Sequence, residues 1–401
     1  MINLEIPRRF RMLTRIAYQA AGEFLRPISR KYDLAEHTYP KELDMFAAMI
    51  EGMEASGEGS GAGAGGVRRR ENGGGVRNGS NMASVLGVME IAWGDVGLLL
   101  AMPRQGLGNS AIASVANDEQ RARFQGMWAS MAITEPDCGS DSAAIQTTAI
   151  LDGDHYVLNG EKIFVTAGER SDAVVVWATL DRLKGRSAIK SFVVPKGTPG
   201  MDVVRCEHKL GIRASDTATI RFDNCRVPKE NLLGSPEIHT DKGFAGVMQT
   251  FDNTRPLVAA MAVGLARAAL EETRRIFRDV GVPIDYDKAI HLQPAAAATF
   301  IALESDWEAA YLLTLRAAWM ADNNLPNSLQ ASMAKAKAGR MCSEVTLRCV
   351  ELCGSVGYGE GELLEKWARD AKILDIFEGT QQIQQLIVAR RLLGKTSAEL
   401  K

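Results

Sequence analysis

The sequence predicts a mainly α-helical protein with a small β domain in the middle of the chain. Three observations support this fold class. Apolar residues recur at helical spacing before about residue 130, as in segments 42–53 and 82–100. Strand-like runs and turn residues replace this spacing between 131 and 238, and long helical segments follow. We expect an N-terminal helical domain, a middle β domain and a C-terminal helical bundle, at residues 1–130, 131–238 and 239–401.

A glycine-rich stretch at residues 56–80 interrupts the first helical region. It reads SGEGSGAGAGG from Ser56 and RRRENGGG from Arg68. So much glycine cannot form a packed core, so we predict a loop. A phosphate-binding loop is the alternative, but no Lys-Ser/Thr pair follows and no predicted strand precedes it. The three arginines could contact an anionic ligand, although a solvated loop is the simpler interpretation.

The middle region carries the pattern of a small β domain. Residues 156–166 read YVLNGEKIFVT, and Asn159-Gly160 separates two strand-like runs, which predicts a hairpin with its turn there. Further runs at 173–178, 191–195 and 218–222 are rich in β-branched and aromatic residues. We therefore expect several short strands with turns between them.

The C-terminal region carries three long helical segments, at 255–278, 294–321 and 329–352. They are rich in Ala, Leu, Met, Glu and Arg, which favour helices. Three or more such helices, packed on their apolar faces, form a bundle.

Composition excludes several classes of protein. The 47 Lys and Arg residues nearly balance 49 Asp and Glu residues, so no basic field indicates a nucleic-acid partner. The six cysteines form no CxxC pair and the five histidines show no metal-ligand spacing, so we expect free, mostly buried thiols and no metal. The N-terminus lacks the apolar core of a signal peptide and no apolar run is long enough to cross a bilayer, which predicts a cytoplasmic protein.

The most informative motif lies at residues 132–141, which read AITEPDCGSD. Thr134 and Ser140 offer hydroxyl groups, and Gly139 lets the backbone approach another group closely. A polar transition from strand to loop could have the same composition. The full string, however, resembles the flavin-binding signature of the acyl-CoA dehydrogenases, A-x-T-E-P-x-x-G-S-D.

Four further segments resemble the same family in the same order. They are 156–166, LGIRASDT at 210–217, FDNTRPLVAA at 251–260 and IFEGTQQIQ at 376–384. The resemblance spans nearly the whole chain and is weakest at 50–80 and 280–294. It implies an FAD-dependent dehydrogenase that desaturates an acyl-CoA thioester.

Glu378 is the candidate catalytic base. Desaturation requires the removal of a proton from the α carbon, and a carboxylate buried beside an apolar acyl chain gains basicity because its pKa rises. Glu378 lies in the apolar run ILDIFEG, and Gly379 beside it removes a side chain where the substrate must approach. The alternative is a surface glutamate that caps a helix beginning near Thr380. The family resemblance favours the catalytic role.

The resemblance also implies roles for other residues. FAD would accept the hydride, and the thioester carbonyl would be held by the Glu378 N–H and a ribityl hydroxyl of the cofactor. The implied FAD-binding residues are Met131, Ile133, Thr134, Gly139, Ser140, Phe164, Thr166, Thr380 and Gln382. The implied acyl-CoA-binding residues are Ser140, Asp252, Arg255 and Gly379. For Asp252 and Arg255, an acidic helix N-terminus with a local ion pair is the alternative.

Two segments depart from the family pattern. Where the family has R-x-x-F-G, an arginine that reaches the neighbouring subunit's FAD, residues 282–287 read VPIDYD. Where it has Q-x-x-G-G, the chain has ELCG from Glu351. An acid about 5 Å from a phosphate, at an effective dielectric constant of about 20, is repelled by roughly 3 kcal/mol. We therefore hypothesise an α2β2 tetramer with a related subunit that supplies the missing arginine.

Two alternatives to an acyl-CoA dehydrogenase remain open from the sequence. An acyl-CoA oxidase has the same fold and base but transfers electrons to O2, whereas the resemblance implies an electron-transferring flavoprotein as acceptor. The second alternative is a largely structural subunit of a heteromeric enzyme, and the intact Glu378, Thr134 and Ser140 argue against it. Straight-chain, branched and steroid-like acyl groups are all compatible with the sequence.

Overall fold

Helices, strands and helices follow one another in the order that the sequence predicts. The computed structural model describes residues 6–55, 79–104, 107–238, 245–396 and 399, with only the helical backbone described for 49–55 and 245–253. Most of the predicted glycine-rich loop, from 56 to 78, lies outside the described residues. The predicted fold class is confirmed.

Seven α-helices precede the sheet in the described part of the chain. They are α1 (Arg11–Ala20), α2 (Arg26–Leu34), α3 (Glu42–Ala55), α4 (Ser80–Gly94), α5 (Val96–Leu100), α6 (Leu107–Val115) and α7 (Asp118–Arg123). The single helix predicted over 82–100 is in fact α4 and α5. Asp95 between them is extended, and its carboxylate accepts a hydrogen bond from the Leu98 N–H at 2.8 Å, which begins a new helix.

Seven strands in the described residues form one curled sheet in the order β1-β4-β2-β3-β7-β6, with β5 paired to β4. They are β1 (Ala129–Ala132), β2 (Thr148–Asp152), β3 (His155–Thr166), β4 (Ala173–Thr179), β5 (Ile189–Pro195), β6 (Met201–Cys206) and β7 (Thr217–Pro228). Both faces of the sheet are covered. Val174 and Val176 of β4 enter one apolar cluster, whereas Val175 and Trp177 enter the other.

The turn predicted at Asn159-Gly160 is wrong. Both residues lie within β3, and the hairpin between β2 and β3 turns instead at Gly153 and Asp154. A side chain at Gly160 would place its Cβ 2.5 Å from the Thr147 hydroxyl, so the glycine permits a close approach of two chain segments. The Asn-Gly pair therefore reflects a tertiary contact and not a turn.

Five α-helices follow in the described residues. They are α8 (Ala245–Asp279), α9 (Ala295–Asp322), α10 (Ser328–Tyr358), α11 (Leu364–Leu374) and α12 (Gln381–Leu393). The helix predicted from residue 255 begins ten residues earlier, and Pro256 lies inside it. Gly264 of α8 packs closely against α4, because a Cβ there would lie 2.1 Å from the Met89 carbonyl oxygen.

The first and last helical regions share one hydrophobic core, to which Phe46 of α3, Leu86 of α4 and Trp367 of α11 all contribute. A buried charge network reinforces the junction. Lys366 of α11 contacts the carboxylates of Asp95 and Asp370 at 2.7 and 2.5 Å. Asp370 also accepts a hydrogen bond from Ile212 N–H at 2.5 Å, which ties the loop before β7 to α11. The β domain is thus fixed against the helix that leads to Glu378.

All six cysteines are free and five are buried, as the sequence predicts. Among the described residues, no helix combines the length and the apolar character that a membrane span requires.

Candidate active site

Glu378 lies in the connection between α11 and α12. Glu378 has φ +56° and Gly379 has φ +92°, so two successive residues adopt left-handed backbone conformations. A Cβ at residue 379 would come within 2.4 Å of Gln384 Nε2, which explains the glycine. The competing sequence interpretation, in which Glu378 caps α12, is wrong. Thr380 is the cap, since its hydroxyl accepts a hydrogen bond from Ile383 N–H at 3.4 Å.

The carboxylate of Glu378 is enclosed by groups from several helices. Thr254 of α8 donates a hydrogen bond from Oγ1 to Glu378 Oε2 at 2.8 Å. Burial raises the pKa of Glu378, while the Thr254 hydrogen bond and the charges of Arg255 and Lys335 partly oppose that rise. The balance leaves a carboxylate with a pKa above its ordinary value, which makes it a stronger base than a solvated glutamate.

Two side chains donate hydrogen bonds to the backbone carbonyls of the turn that carries this carboxylate. Gln384 Nε2 donates to the carbonyl oxygens of Glu378 and Gly379, at 3.1 and 3.2 Å. Lys335 of α10 donates from Nζ to the Gly379 carbonyl at 2.7 Å. None of these contacts was predicted from the sequence, because α10 and α12 reach this turn only in the folded chain.

The motif at 132–141 forms the end of β1 and the loop that follows it. Met131 and Ile133 are partly buried against the apolar cluster that lies between the sheet and α6. The Thr134 carbonyl accepts a hydrogen bond from Ile163 N–H at 2.9 Å, so this loop lies beside β3. A Cβ at Gly139 would lie 3.6 Å from the Thr134 methyl group, while Ser140 is exposed.

A buried ion pair supports this loop, and the sequence did not predict it. Glu135 contacts Lys162 Nζ at 2.7 Å and also accepts hydrogen bonds from the N–H groups of Gln146 and Thr147. Burial opposes ionisation of Glu135, but Lys162 and these donors outweigh it and lower the pKa of the carboxyl below its usual range. Lys162 Nζ also donates to the Ile133 carbonyl at 3.0 Å. Glu135 is therefore a structural support for the loop.

Phe164 and Thr166 lie at the end of β3. Phe164 has φ +56° and its side chain is 61% exposed, which is unusual for a large aromatic residue in a sheet. The pairing of β3 with β7 shifts register between Lys162 and Val165, and this irregularity directs Phe164 outward. Thr166 is partly buried and pairs with Thr217. An exposed ring at this strand end, next to the loop that carries Thr134, suits the planar isoalloxazine of a flavin.

The remaining predicted ligand residues are placed as follows. Thr380 caps α12 and Gln382 is exposed on its first turn. Arg255 is only 3% exposed and lies within α8, not at its N-terminus, since α8 begins ten residues earlier. The alternative of an acidic helix N-terminus is therefore wrong for Arg255. The side chain of Asp252 lies outside the described residues.

One cluster of metal-binding residue types appears only in the folded chain. Ligand atoms of Glu36, His37 and His208 lie within 4.8 Å of one another, although the sequence shows no metal-ligand spacing. Both oxygens of Glu36 already accept hydrogen bonds, from His208 Nδ1 and from the Lys209 N–H, each at 2.9 Å. A metal would have to displace these donors, so hydrogen bonding accounts for Glu36 and His208, whereas neither ring nitrogen of His37 has a hydrogen-bond partner among the described residues.

Comparisons with known proteins identify the family of this chain. The family model described as "Acyl-CoA dehydrogenase, middle domain" matches residues 130–225, and "Acyl-CoA dehydrogenase, C-terminal domain" matches 241–393. The short-chain specific acyl-CoA dehydrogenase of Bos taurus mitochondria is 36% identical, over 98% of this chain and 92% of its own. The short-chain specific enzyme of Clostridium acetobutylicum is 32% identical, over 98% of this chain and 100% of its own.

A solved structure shares the fold over its whole length. Butyryl-CoA dehydrogenase from Megasphaera elsdenii superimposes with a TM-score of 0.83 at 27% identity, covering 98% of this chain and 100% of that one. The chain belongs to the acyl-CoA dehydrogenase family and is an FAD-dependent oxidoreductase.

Proposed function

We propose that the chain desaturates an acyl-CoA thioester between its α and β carbons, with Glu378 as the base. The single observation that carries this proposal is the partly buried carboxylate of Glu378, whose pKa is raised by burial. It lies at a turn with a left-handed backbone conformation, which hydrogen bonds from α8, α10 and α12 hold in place. These are the properties that abstraction of a proton from carbon requires.

The two C–H bonds that break have different fates. The α C–H bond gives its proton to Glu378 and its electron pair to the forming double bond. The β carbon loses a hydride, and bound FAD supplies the acceptor for that hydride. The residues that we propose to hold FAD are Met131, Ile133, Thr134, Gly139, Ser140, Phe164, Thr166, Thr380 and Gln382. The residues from Met131 to Thr166 in this list lie around the loop after β1 and the end of β3, and this placement supports their assignment.

The substrate site is proposed from the same arrangement. Gly379 lies next to the base in a backbone conformation that favours glycine, and Ser140 is exposed on the loop after β1. Arg255 adds a buried positive charge near Glu378. We also propose Asp252 as a contact of the CoA moiety, from the family pattern alone. The relatives named as short-chain specific make butyryl-CoA the first substrate to test, with octanoyl-, isovaleryl- and a steroid-like acyl-CoA as comparisons.

An electron-transferring flavoprotein is the proposed acceptor of the electrons. The family resemblance supports it. A similar solved structure, at 30% identity, comes from work on the electron transferring flavoprotein of Acidaminococcus fermentans. Stopped-flow reoxidation of the substrate-reduced protein tests this choice. Slow reaction with O2 and fast reaction with such a flavoprotein would support a dehydrogenase, whereas fast reaction with O2 would indicate an oxidase.

We also propose that the chain assembles as an α2β2 tetramer with a related subunit. The loop at 282–293 supports this, because several of its polar groups bond to one another. Gln293 donates to the carbonyls of Asp285 and Lys288, and Asp285 pairs with Lys288 at 3.3 Å. No arginine of this loop is available to a neighbour. The charge of Glu351 is weaker support for this assembly, since Arg348 pairs with Glu351 and offsets the charge that would repel a neighbour's FAD.

Two measurements test these proposals. FAD content per chain is measured for the protein alone and after co-expression with related subunits. One FAD per chain in a homotetramer would exclude the α2β2 arrangement, whereas one FAD per pair supports it. Anaerobic mixing of the FAD-loaded protein with acyl-CoA should bleach the flavin absorbance. Retention of that bleaching in a Glu378→Gln variant would reject Glu378 as the base.

A further inference from the structure

Lys335 of α10 is a buried lysine that the proposed chemistry does not use. Its side chain is among the largest that are fully buried in the described residues. Burying an ammonium group is unfavourable unless the group is paired or hydrogen-bonded. Lys335 therefore needs an explanation in the contacts that it makes.

The contact that Lys335 makes is with the turn that carries the base. Its Nζ donates to the Gly379 carbonyl at 2.7 Å, and Gln384 Nε2 donates to the same oxygen at 3.2 Å. Glu378 has φ +56°, a left-handed backbone conformation that is unfavourable for a residue other than glycine. Such a turn persists only when surrounding groups hold it, and Lys335 is one of the groups that do.

Lys335 also belongs to the set of charged groups that face Glu378. Arg255 of α8 and Lys335 of α10 act on Glu378, and Asp375, which follows α11, acts on Lys335. The charges of Arg255 and Lys335 both lower the pKa of Glu378, against the larger effect of burial. Burial lowers the pKa of Lys335 itself to about 8, although Asp375 and Glu378 oppose this. Lys335 therefore carries its charge below about pH 8.

We propose that Lys335 is a positioning residue for Glu378. Its hydrogen bond to the Gly379 carbonyl fixes the turn and so the direction of the carboxylate, and its positive charge keeps that carboxylate ionised. The inference rests on the proposed role of Glu378 as the base. Lys335 itself touches neither the substrate nor the reacting carbon atoms.

The test uses two Lys335 variants and one matched control. Lys335→Met removes both the charge and the donor, whereas Lys335→Gln removes the charge and keeps a donor. Lys337→Met is the control, because Lys337 lies two residues away, is partly exposed and pairs with Asp306. FAD content and thermal unfolding are measured for every variant. The pH dependence of kcat and KM follows, together with exchange of the α-proton into D2O for an acyl-CoA analogue that has no β-hydrogen.

We expect Lys335→Met to lower kcat by about tenfold to a hundredfold with a much smaller change in KM. The acidic limb of kcat/KM and of α-proton exchange should move to higher pH by about one unit, because an opposite charge near Glu378 is lost. Lys335→Gln should show the same shift in pH but a smaller loss of kcat. Lys337→Met should match the original protein in each measurement.

An unchanged acidic limb in both Lys335 variants would overturn the inference and leave Lys335 with a purely structural role. If Lys335→Met fails to fold or to hold FAD, the pH dependence of Lys335→Gln decides the matter in the same way. Glu378→Gln is measured in parallel. Activity in that variant would show that the proposed base is wrong, an outcome that is distinct from failure of the Lys335 inference.

Discussion

The Thr254 hydroxyl donates a hydrogen bond to the Glu378 carboxylate across 2.8 Å, although 124 positions separate the two residues in the chain. This contact favours the ionised form of the carboxylate, while burial disfavours it. Burial therefore has the largest effect on the pKa of Glu378, and residues of α8 and α10 partly oppose it. Each of these contributions can be tested by mutating the residue that makes it.

The Thr254→Val variant should raise the pKa of Glu378 further, because it removes a donor to the ionised carboxylate. Catalysis needs that ionised form, so kcat/KM should fall most at low pH and its acidic limb should move upward. The Thr254→Ser variant loses the methyl group but keeps the hydroxyl, and it should retain the original profile. A Thr254→Val profile that coincides with the original would show that this hydrogen bond does not tune the base.

The Glu378→Gln variant should lose activity by about 10²–10⁴-fold, which is the usual contribution of a general base. It should still bind FAD, since the carboxylate is proposed to act on the substrate. Steady-state turnover and FAD content are the measurements. Glu360→Gln, at an exposed glutamate, is the control and should be fully active.

The same Glu378→Gln variant should be more stable to heat than the original protein at neutral pH. The folded-state pKa of Glu378 is raised above its unfolded value. The protonated form is therefore favoured in the folded chain, and this stabilisation is present below the unfolded pKa and lost as pH rises through the folded pKa. The difference in thermal midpoint between the two proteins should grow with pH over that window. A constant difference at all pH values would contradict this account.

Breaking the Glu135–Lys162 pair should destabilise the loop after β1. Both side chains are buried, and removing one partner of such a pair costs about 3–5 kcal/mol because the other charge is left unpaired. Lys162→Met should lower both the thermal midpoint and the FAD content. Asp152→Asn removes an exposed pair with Arg226 and should change neither. If the Lys162→Met protein were less stable but still fully loaded with FAD, the ion pair would support the loop without being needed for cofactor binding.

The Gly379→Ala variant should impair catalysis more than folding. Its φ of +92° is unfavourable for alanine, and the added Cβ would lie 2.4 Å from Gln384 Nε2. The strain should displace the turn and reduce kcat, at a cost in stability of roughly 1–3 kcal/mol. Gly361→Ala is the control, since a Cβ there meets no heavy atom within 4 Å. Activity equal to that control would show that the turn tolerates a side chain.

Local sequence patterns were sufficient to predict the order of helices and strands, the free cysteines and the family. Periodicity and residue type depend on neighbours within a few positions, and these patterns report such neighbours directly. One error arose where a distant contact overrode the local pattern, and another where a local helix cap was missed. Asn159-Gly160 has the composition of a turn, but the approach of Thr147 requires the glycine inside β3. The helix predicted over 82–100 ends at Gly94, because Asp95 caps α5 instead of continuing α4.

The sequence by itself determined that Glu378 is the candidate base and that Thr134 and Ser140 lie in a motif that resembles a flavin-binding signature. Only the tertiary structure decided what surrounds them. Thr254, Lys335 and Gln384 converge on the turn at Glu378 from three helices, and Lys162 reaches Glu135 from the neighbouring strand. The physical reason is that a pKa depends on burial and on nearby charges and donors. Those neighbours are brought together by packing, which no single segment of the sequence records.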